Sequence, residues 1–334
     1  MSDRDPASAG PLLARRALLS VALAAPLALP LRAVAQGGGG APLKVLATTA
    51  MIGDLARRIG GDRIALTVLM GEGVDPHLYK PTRQDVARLL QSDLVLYNGL
   101  LLEGQMTEAF ERVGRSGKPV HAVAEAVPRD MLLVPDGAAG QPDPHLWMDP
   151  RAWTEVAAVI ARQLSAADPA GQAVFAANLI RLQTDLTALD AWAARTIAGI
   201  PAERRVLVTA HDAFGYFARR YGIEVMGIQG LSTESEAGIR QIEHLVGVLA
   251  SRRIPAVFVE SSVSDRNIRA LVEGARARGH EVAIGGELFS DAMGAPGSYE
   301  GTYPGMIDHN VTTIARALGE DVPPGGFAGK LAAR

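Results

Sequence analysis

The chain has 334 residues, with 33 Lys+Arg against 36 Asp+Glu, 7 His and no Cys. That length allows two ordinary domains with sizeable cores, and the 48% hydrophobic and 21% charged content is that of a globular protein, not a disordered or fibrous one. A net charge of -3 lacks the basic excess of a nucleic-acid binder, and the missing cysteines exclude disulfides, thiolate metal sites, cysteine nucleophiles and a lipid-modified cysteine.

Arg15 and Arg16 precede an apolar run over 17–31 that contains Pro26 and Pro30 and leads into Ala33-Val34-Ala35. This predicts a secretory signal over 1–35 with an A-x-A cleavage site, because the run falls short of the roughly 20 apolar residues of a bilayer span. The arginine pair also suits the twin-arginine route, and the mature protein is expected to be periplasmic. Residues 36–42, glycine-rich at 37–40, then read as a flexible lead-in.

Beyond it, β-rich runs at 43–49, 64–70, 94–98 and 119–123 alternate with helical spacing at 52–59, 82–90 and 105–113. Such alternation predicts parallel strands with crossover helices, an α/β lobe over 43–167 that closes with a helix over about 150–166, capped by Asp149 before Pro150. Asp168-Pro169 repeats that start signal, and Phe175, Leu179, Leu182, Leu186, Leu189 and Ala193 recur at steps of four and three. The pattern predicts one long linking helix over 168–200, roughly 45 Å at about 1.5 Å per residue, with two shorter core helices as the alternative. A second lobe over 201–320 repeats the alternation, with strands at 206–209, 224–228, 256–260 and 281–285 and helices at 213–221, 235–251, 265–278 and 305–318. The small, Gly-rich tail over 321–334 is expected to be loosely held.

Two histidines sit in near copies of one phrase, Asp75-Pro76-His77-Leu78 and Asp143-Pro144-His145-Leu146, each in an expected loop whose proline fixes the backbone before the imidazole. His211 follows the strand 206–209, and Asp291 follows the strand ending near Gly285. Both lie at carboxyl ends of strands, where open α/β sheets bind ligands. Three imidazoles and one carboxylate can saturate Zn²⁺, or bind Mn²⁺ if the carboxylate is bidentate. Spacing alone does not compel this, since isolated loop histidines are ordinary surface and capping residues. Ligating imidazoles must be neutral, so metal should leave as the pH falls through roughly 6.5. Asp75, Asp143 and Asp212 beside these histidines read as turn and cap residues. His121, His244, His280 and His309 read as structural or solvated, and Trp147, Trp153 and Trp192 as packing.

The phrases Asp75-Pro76-His77 with Lys80-Pro81-Thr82, Tyr97-Asn98-Gly99-Leu100 with Leu102-Glu103-Gly104, and Asp143-Pro144-His145-Leu146-Trp147-Met148-Asp149-Pro150 resemble the bacterial metal-binding solute-binding proteins of zinc and manganese ABC importers. The second half agrees: Thr209-Ala210-His211-Asp212-Ala213-Phe214-Gly215-Tyr216-Phe217, Phe258-Val259-Glu260-Ser261-Ser262 and Gly286-Glu287-Leu288-Phe289-Ser290-Asp291-Ala292 are similar to the TroA-type branch. The resemblance, in order from about Leu43 to Leu318, implies two Rossmann-like α/β lobes joined by one rigid helix, with a metal ion in the cleft between them. Its ligand positions fall on His77, His145, His211 and Asp291, and Glu260 is a candidate to accept a hydrogen bond from a ligating imidazole. Manganese-selective relatives usually carry Glu at the position of His211, and many zinc-selective ones a His-rich loop before the second ligand; this sequence has neither. Three imidazoles favour zinc over manganese. The implied partners are an inner-membrane ABC permease and its ATPase, with no nucleic acid, and the protein is expected to be a monomer.

Two other classes share these residues. A zinc hydrolase could use three histidines with Glu260 as base, but the sequence has no H-E-x-x-H, no nucleophile elbow and no Walker A loop, so no enzyme is expected. A binder of haem or a siderophore would share the lobes but rely on axial Tyr or His contacts or an Arg-lined cleft.

Overall fold

The computed structural model describes residues 41–332 apart from residue 137, so the expected signal segment and most of the lead-in lie outside the described residues. In the first lobe β1 (Leu43–Thr49), β2 (Ile64–Met70), β3 (Leu94–Tyr97) and β4 (Val120–Ala122) form one parallel sheet in the order β2-β1-β3-β4. Val45 to Thr49 of β1 are all buried, as expected of a strand covered on both faces. Thr49 then caps α1 (Ala50–Gly60) through its hydroxyl, so the chain turns from strand into helix without a loop. A reciprocal Thr82–Asp85 capping box starts α2 (Arg83–Gln91), followed by α3 (Thr107–Arg115) and α4 (Pro150–Ala167), the last capped by Asp149 as its sequence predicts.

The long helix is present as α5 (Gln172–Gly199), 28 residues. It begins four residues after Asp168 because Pro169–Gly171 forms a 3₁₀ turn. Arg63 locks that turn to the first lobe, its guanidinium donating to both Asp168 oxygens at 2.6 and 2.8 Å. Farther along, Arg220 grips Asp190 in the same way from the second lobe, at 2.7 and 2.5 Å.

The second lobe holds two parallel pairs, β5 (Val206–His211) with β6 (Glu224–Gln229) and β7 (Ala256–Glu260) with β8 (Ala283–Leu288), β5 lying alongside β7. Helices α6 (Gly215–Tyr221), α7 (Ile239–Arg252), α8 (Arg266–Ala277) and α9 (Tyr303–Ala317) connect and cover them. Several elements depart from the sequence expectation: β5 runs past Thr209 to include His211, expected to follow the strand, and two others differ more. β8 runs past Gly285-Gly286 to Leu288, because the glycines sit at a register shift where a Cβ would press on Phe258 at 2.8 Å or Thr313 at 2.6 Å. The dipeptide that reads as a strand end is therefore a bulge within the strand. α7 starts at Ile239 instead of 235, since 230–238 is a loop whose polar side chains are engaged elsewhere.

One apolar core runs through both lobes, including Trp147, Trp153, Leu186, Tyr303, Ile307 and Ile314, all essentially inaccessible. α5 packs on α1, α4 and α9. Tyr303 stitches the halves together: its amide donates to Asp54 Oδ2 at 3.0 Å and its hydroxyl to the Trp147 carbonyl at 2.7 Å. The segment after Pro323, expected to be loose, is tied to α9 by the Phe327 and Ala328 amides, which donate to Asp308 at 2.7 and 3.2 Å. Among the described residues no helix is long and apolar enough to cross a membrane.

Candidate metal centre

The two Asp-Pro-His phrases fold alike. In each, the aspartate accepts the histidine's amide N–H two residues on, 2.8 Å for Asp75 and His77 and 2.9 Å for Asp143 and His145. These Asx turns use the carboxylate to do locally what no strand does, and they turn each imidazole inward from a loop. The His145 loop is also held by the residue just after β3: Asn98 Nδ2 donates to the Pro144 carbonyl at 3.0 Å. Asn98 itself is positioned by the buried Glu103, which accepts the amides of Asn98 and Gly99 and the Thr48 hydroxyl. His211 is the last residue of β5, and Asp291 lies three residues beyond β8. The loop carrying Asp291 is fixed on both sides, since Asn310 of α9 bonds the Phe289 amide and carbonyl at 2.9 and 2.7 Å, and Trp147 Nε1 donates to the Ser290 carbonyl at 2.7 Å.

The structure brings His77, His145, His211 and Asp291 together, with one donor atom from each inside a span of 4.8 Å and every residue buried. His77 Nε2 is 3.3 Å from His145 Nε2. Asp291 Oδ1 is 3.3 Å from His145 Nε2, and Oδ2 is 3.1 Å from His211 Nε2 and 3.8 Å from His77 Nε2. Tetrahedral donors bonded to Zn²⁺ at about 2.0–2.1 Å stand roughly 3.3–3.4 Å apart. His211 Nε2 and both Asp291 oxygens have no hydrogen-bond partner outside the four residues. A buried polar atom left so costs about 1–3 kcal/mol, and a shared cation would offset that for all of them at once.

Electrostatics divides the three imidazoles. Burial lowers the His77 pKa to about 3, and the attraction of Asp291 does not overcome it. Burial also works against protonated His145, but the charge and hydrogen bond of Asp143, with Asp291, outweigh it and push the pKa up to about 9. His211 is likewise opposed by burial and raised well above its ordinary value by Glu260 and Asp291. Burial would raise the Asp291 carboxyl, yet His211 and His145 hold it well below the usual range.

Two carboxylates grip the rings from behind. His145 Nδ1 donates to Asp143 Oδ1 at 2.7 Å, and His211 Nδ1 donates to Glu260 Oε2 at 2.5 Å. Glu260 also accepts the His211 amide at 2.9 Å. A carboxylate acceptor at Nδ1 fixes the tautomer that leaves the Nε2 lone pair free for an ion. Sequence reasoning singled out Glu260 but gave Asp143 only a turn role; the signal for its second role is burial, which the sequence does not display. Elsewhere, His280 and His309 bond the Ile254 and Glu287 carbonyls, His244 is exposed, and His121 lies in β4.

These features define a class: a two-lobed α/β solute-binding protein with a transition-metal donor set between its lobes. Residues 45–317 match the family of the periplasmic zinc-uptake complex component A, and the chain belongs to this family of metal-binding substrate-binding proteins of ABC importers, which are not enzymes. The manganese-binding lipoprotein MntA of Bacillus subtilis (strain 168) is 49% identical over 276 residues, 83% of this chain and 90% of that one. The zinc-binding protein TroA of Treponema pallidum (strain Nichols) is 47% identical over 279 residues, 84% and 89%. The solved structure of periplasmic zinc-binding TroA matches with a TM-score of 0.80 at 45% identity, over 83% of this chain and 99% of that one. Fe(III)-bound YtgA from Chlamydia trachomatis matches at 0.75 and 30% identity, over 84% and 99%.

Proposed function

We propose that this protein is exported, captures one divalent transition-metal ion with His77, His145, His211 and Asp291, and delivers it to the membrane permease of an ABC importer. The observation that carries the reading is the convergence of three imidazole nitrogens and a carboxylate, buried and supplied by both lobes. His77 and His145 come from loops of the first lobe, His211 from the end of β5 and Asp291 from the loop after β8 in the second, so an ion is bound by both lobes at once. The shared core and α5 restrict the lobes to small tilts, and access then depends on the loops.

Zinc is the preferred ion, because three neutral imidazoles suit it better than manganese and affinities follow the Irving–Williams order. A manganese reading has its own support: both Asp291 oxygens lie among the ring nitrogens, which allows bidentate coordination and a fifth donor atom. Native mass spectrometry with elemental analysis on untagged protein, followed by competitive Zn²⁺ and Mn²⁺ titration, separates the two. One tightly held ion per chain is expected; a chain that binds neither ion stoichiometrically would falsify the capture reading.

A further inference from the structure

We propose that Thr233 is a positioning residue that latches the His77 loop shut and thereby sets how fast the captured ion leaves; the inference rests on the metal-capture reading. Segment 230–238, between β6 and α7, belongs to the second lobe, yet its side chains reach the first. Thr233 Oγ1 donates to Asp75 Oδ2 at 2.5 Å, and Gln105 Nε2 donates to Glu234 Oε1 at 2.5 Å. The other oxygen of Asp75 accepts the His77 amide. A single carboxylate thus connects the backbone of a first-lobe ligand to the opposite side of the cleft. Thr233 is only 8% exposed, so water competes weakly for that hydrogen bond. The His77 loop is covered at a second point, where a Cβ on Gly73 would lie 3.5 Å from the Ser261 carbonyl of the second lobe.

The latch falls where it has leverage. His145 and His211 are gripped through their rings by Asp143 and Glu260, whereas His77 is held through its backbone amide. The continuous core and α5 leave little room for the lobes to swing apart, so an ion that leaves must do so by displacement of a loop, and the His77 loop is the one with no carboxylate behind its ring. Opening it breaks the Thr233–Asp75 bond. Closing it re-forms the bond after an ion has entered.

The test is the rate of Zn²⁺ transfer from loaded protein to an excess of chromophoric chelator, followed by stopped flow. Thr233→Val keeps the shape and removes the donor, and should release Zn²⁺ about tenfold faster, the scale of a lost hydrogen bond to a charged acceptor. Thr233→Ser restores the hydroxyl and should return the rate to that of the wild type. Gln105→Ala, whose contact is exposed, should release only about twofold faster. Equal rates for wild type and Thr233→Val, or a Thr233→Ser variant as fast as Thr233→Val, overturn the latch. Zn²⁺ loading of the wild type in the same experiment separates the two readings: a wild type that takes up no Zn²⁺ overturns capture itself, while one that loads but shows no Thr233 effect overturns the latch alone.

Discussion

Asp75-Pro76-His77-Leu78 and Asp143-Pro144-His145-Leu146 are near copies that fold into the same turn and end in different chemistry. Each aspartate accepts the amide of its histidine. Asp143 is fully buried and also accepts a hydrogen bond from Nδ1 of the His145 ring, while Asp75 turns its second oxygen to Thr233. The consequence is a His145 ring whose pKa is raised to about 9 and a His77 ring lowered to about 3. Local sequence sets the turn, and the surroundings decide what the spare lone pairs do.

That comparison can be pressed hardest at the ligands. His145→Ala and Asp291→Ala should each weaken Zn²⁺ binding more than about 100-fold in competitive titration, since even groups one bond removed from a metal are worth about 10–100-fold. Retained wild-type affinity in either variant would remove that residue from the site. Next comes Asp143→Asn, which keeps the turn but removes the charge behind the ring, with an expected loss of about 10–100-fold. The same substitution should lower the His145 pKa, observable by NMR titration of the metal-free protein.

Proton linkage gives a third test. In the metal-free fold the His145 and His211 pKa values are raised, so both rings hold a proton at neutral pH that an incoming ion must displace. Affinity should therefore keep rising with pH between 6.5 and about 9, by up to about tenfold per unit for each proton released. This moves the window upward from the sequence expectation of loss only below about 6.5, because Asp143 and Glu260 favour the protonated rings. The sign for the stability of the metal-free fold is the opposite: the raised pKa contributes stability fully present below 6.5 and lost as the pH rises through about 9. The gain in melting temperature on adding Zn²⁺ should then grow across that window; a gain that levels off at pH 7 would contradict the raised values. The smallest effect belongs to Asp75→Asn, since an amide still offers an oxygen to the His77 N–H and an N–H to Thr233. Its affinity should stay within about threefold of the wild type, far from the loss expected at Asp143.

Much of this architecture was legible from periodicity. The strands beginning at Leu43, Ile64, Leu94 and Val206 and the apolar stripe of α5 emerge close to where their spacing places them. The misplacements have local causes. Gly285-Gly286 reads as punctuation but serves close packing against Phe258 and Thr313. Residues 235–238 read as the start of a helix, yet they belong to a loop that faces the other lobe, and no side chain caps the helix before Ile239.

Of the site, the sequence displays residue types and their loops: two histidines after Asp-Pro, a third at a strand end, and an aspartate past another. Composition and pattern by themselves determined an α/β chain with a long linking helix and a donor set made of imidazole and carboxylate, because hydrophobic period and side-chain chemistry are local properties. Only the tertiary structure decided that residues separated by up to 214 positions place their donor atoms within 4.8 Å, which rings Asp143 and Glu260 hold, and which lobe Thr233 reaches. Distance, burial and the direction of a lone pair arise from packing between segments far apart in the chain, and those quantities set both the protons at this site and its claim on a metal ion.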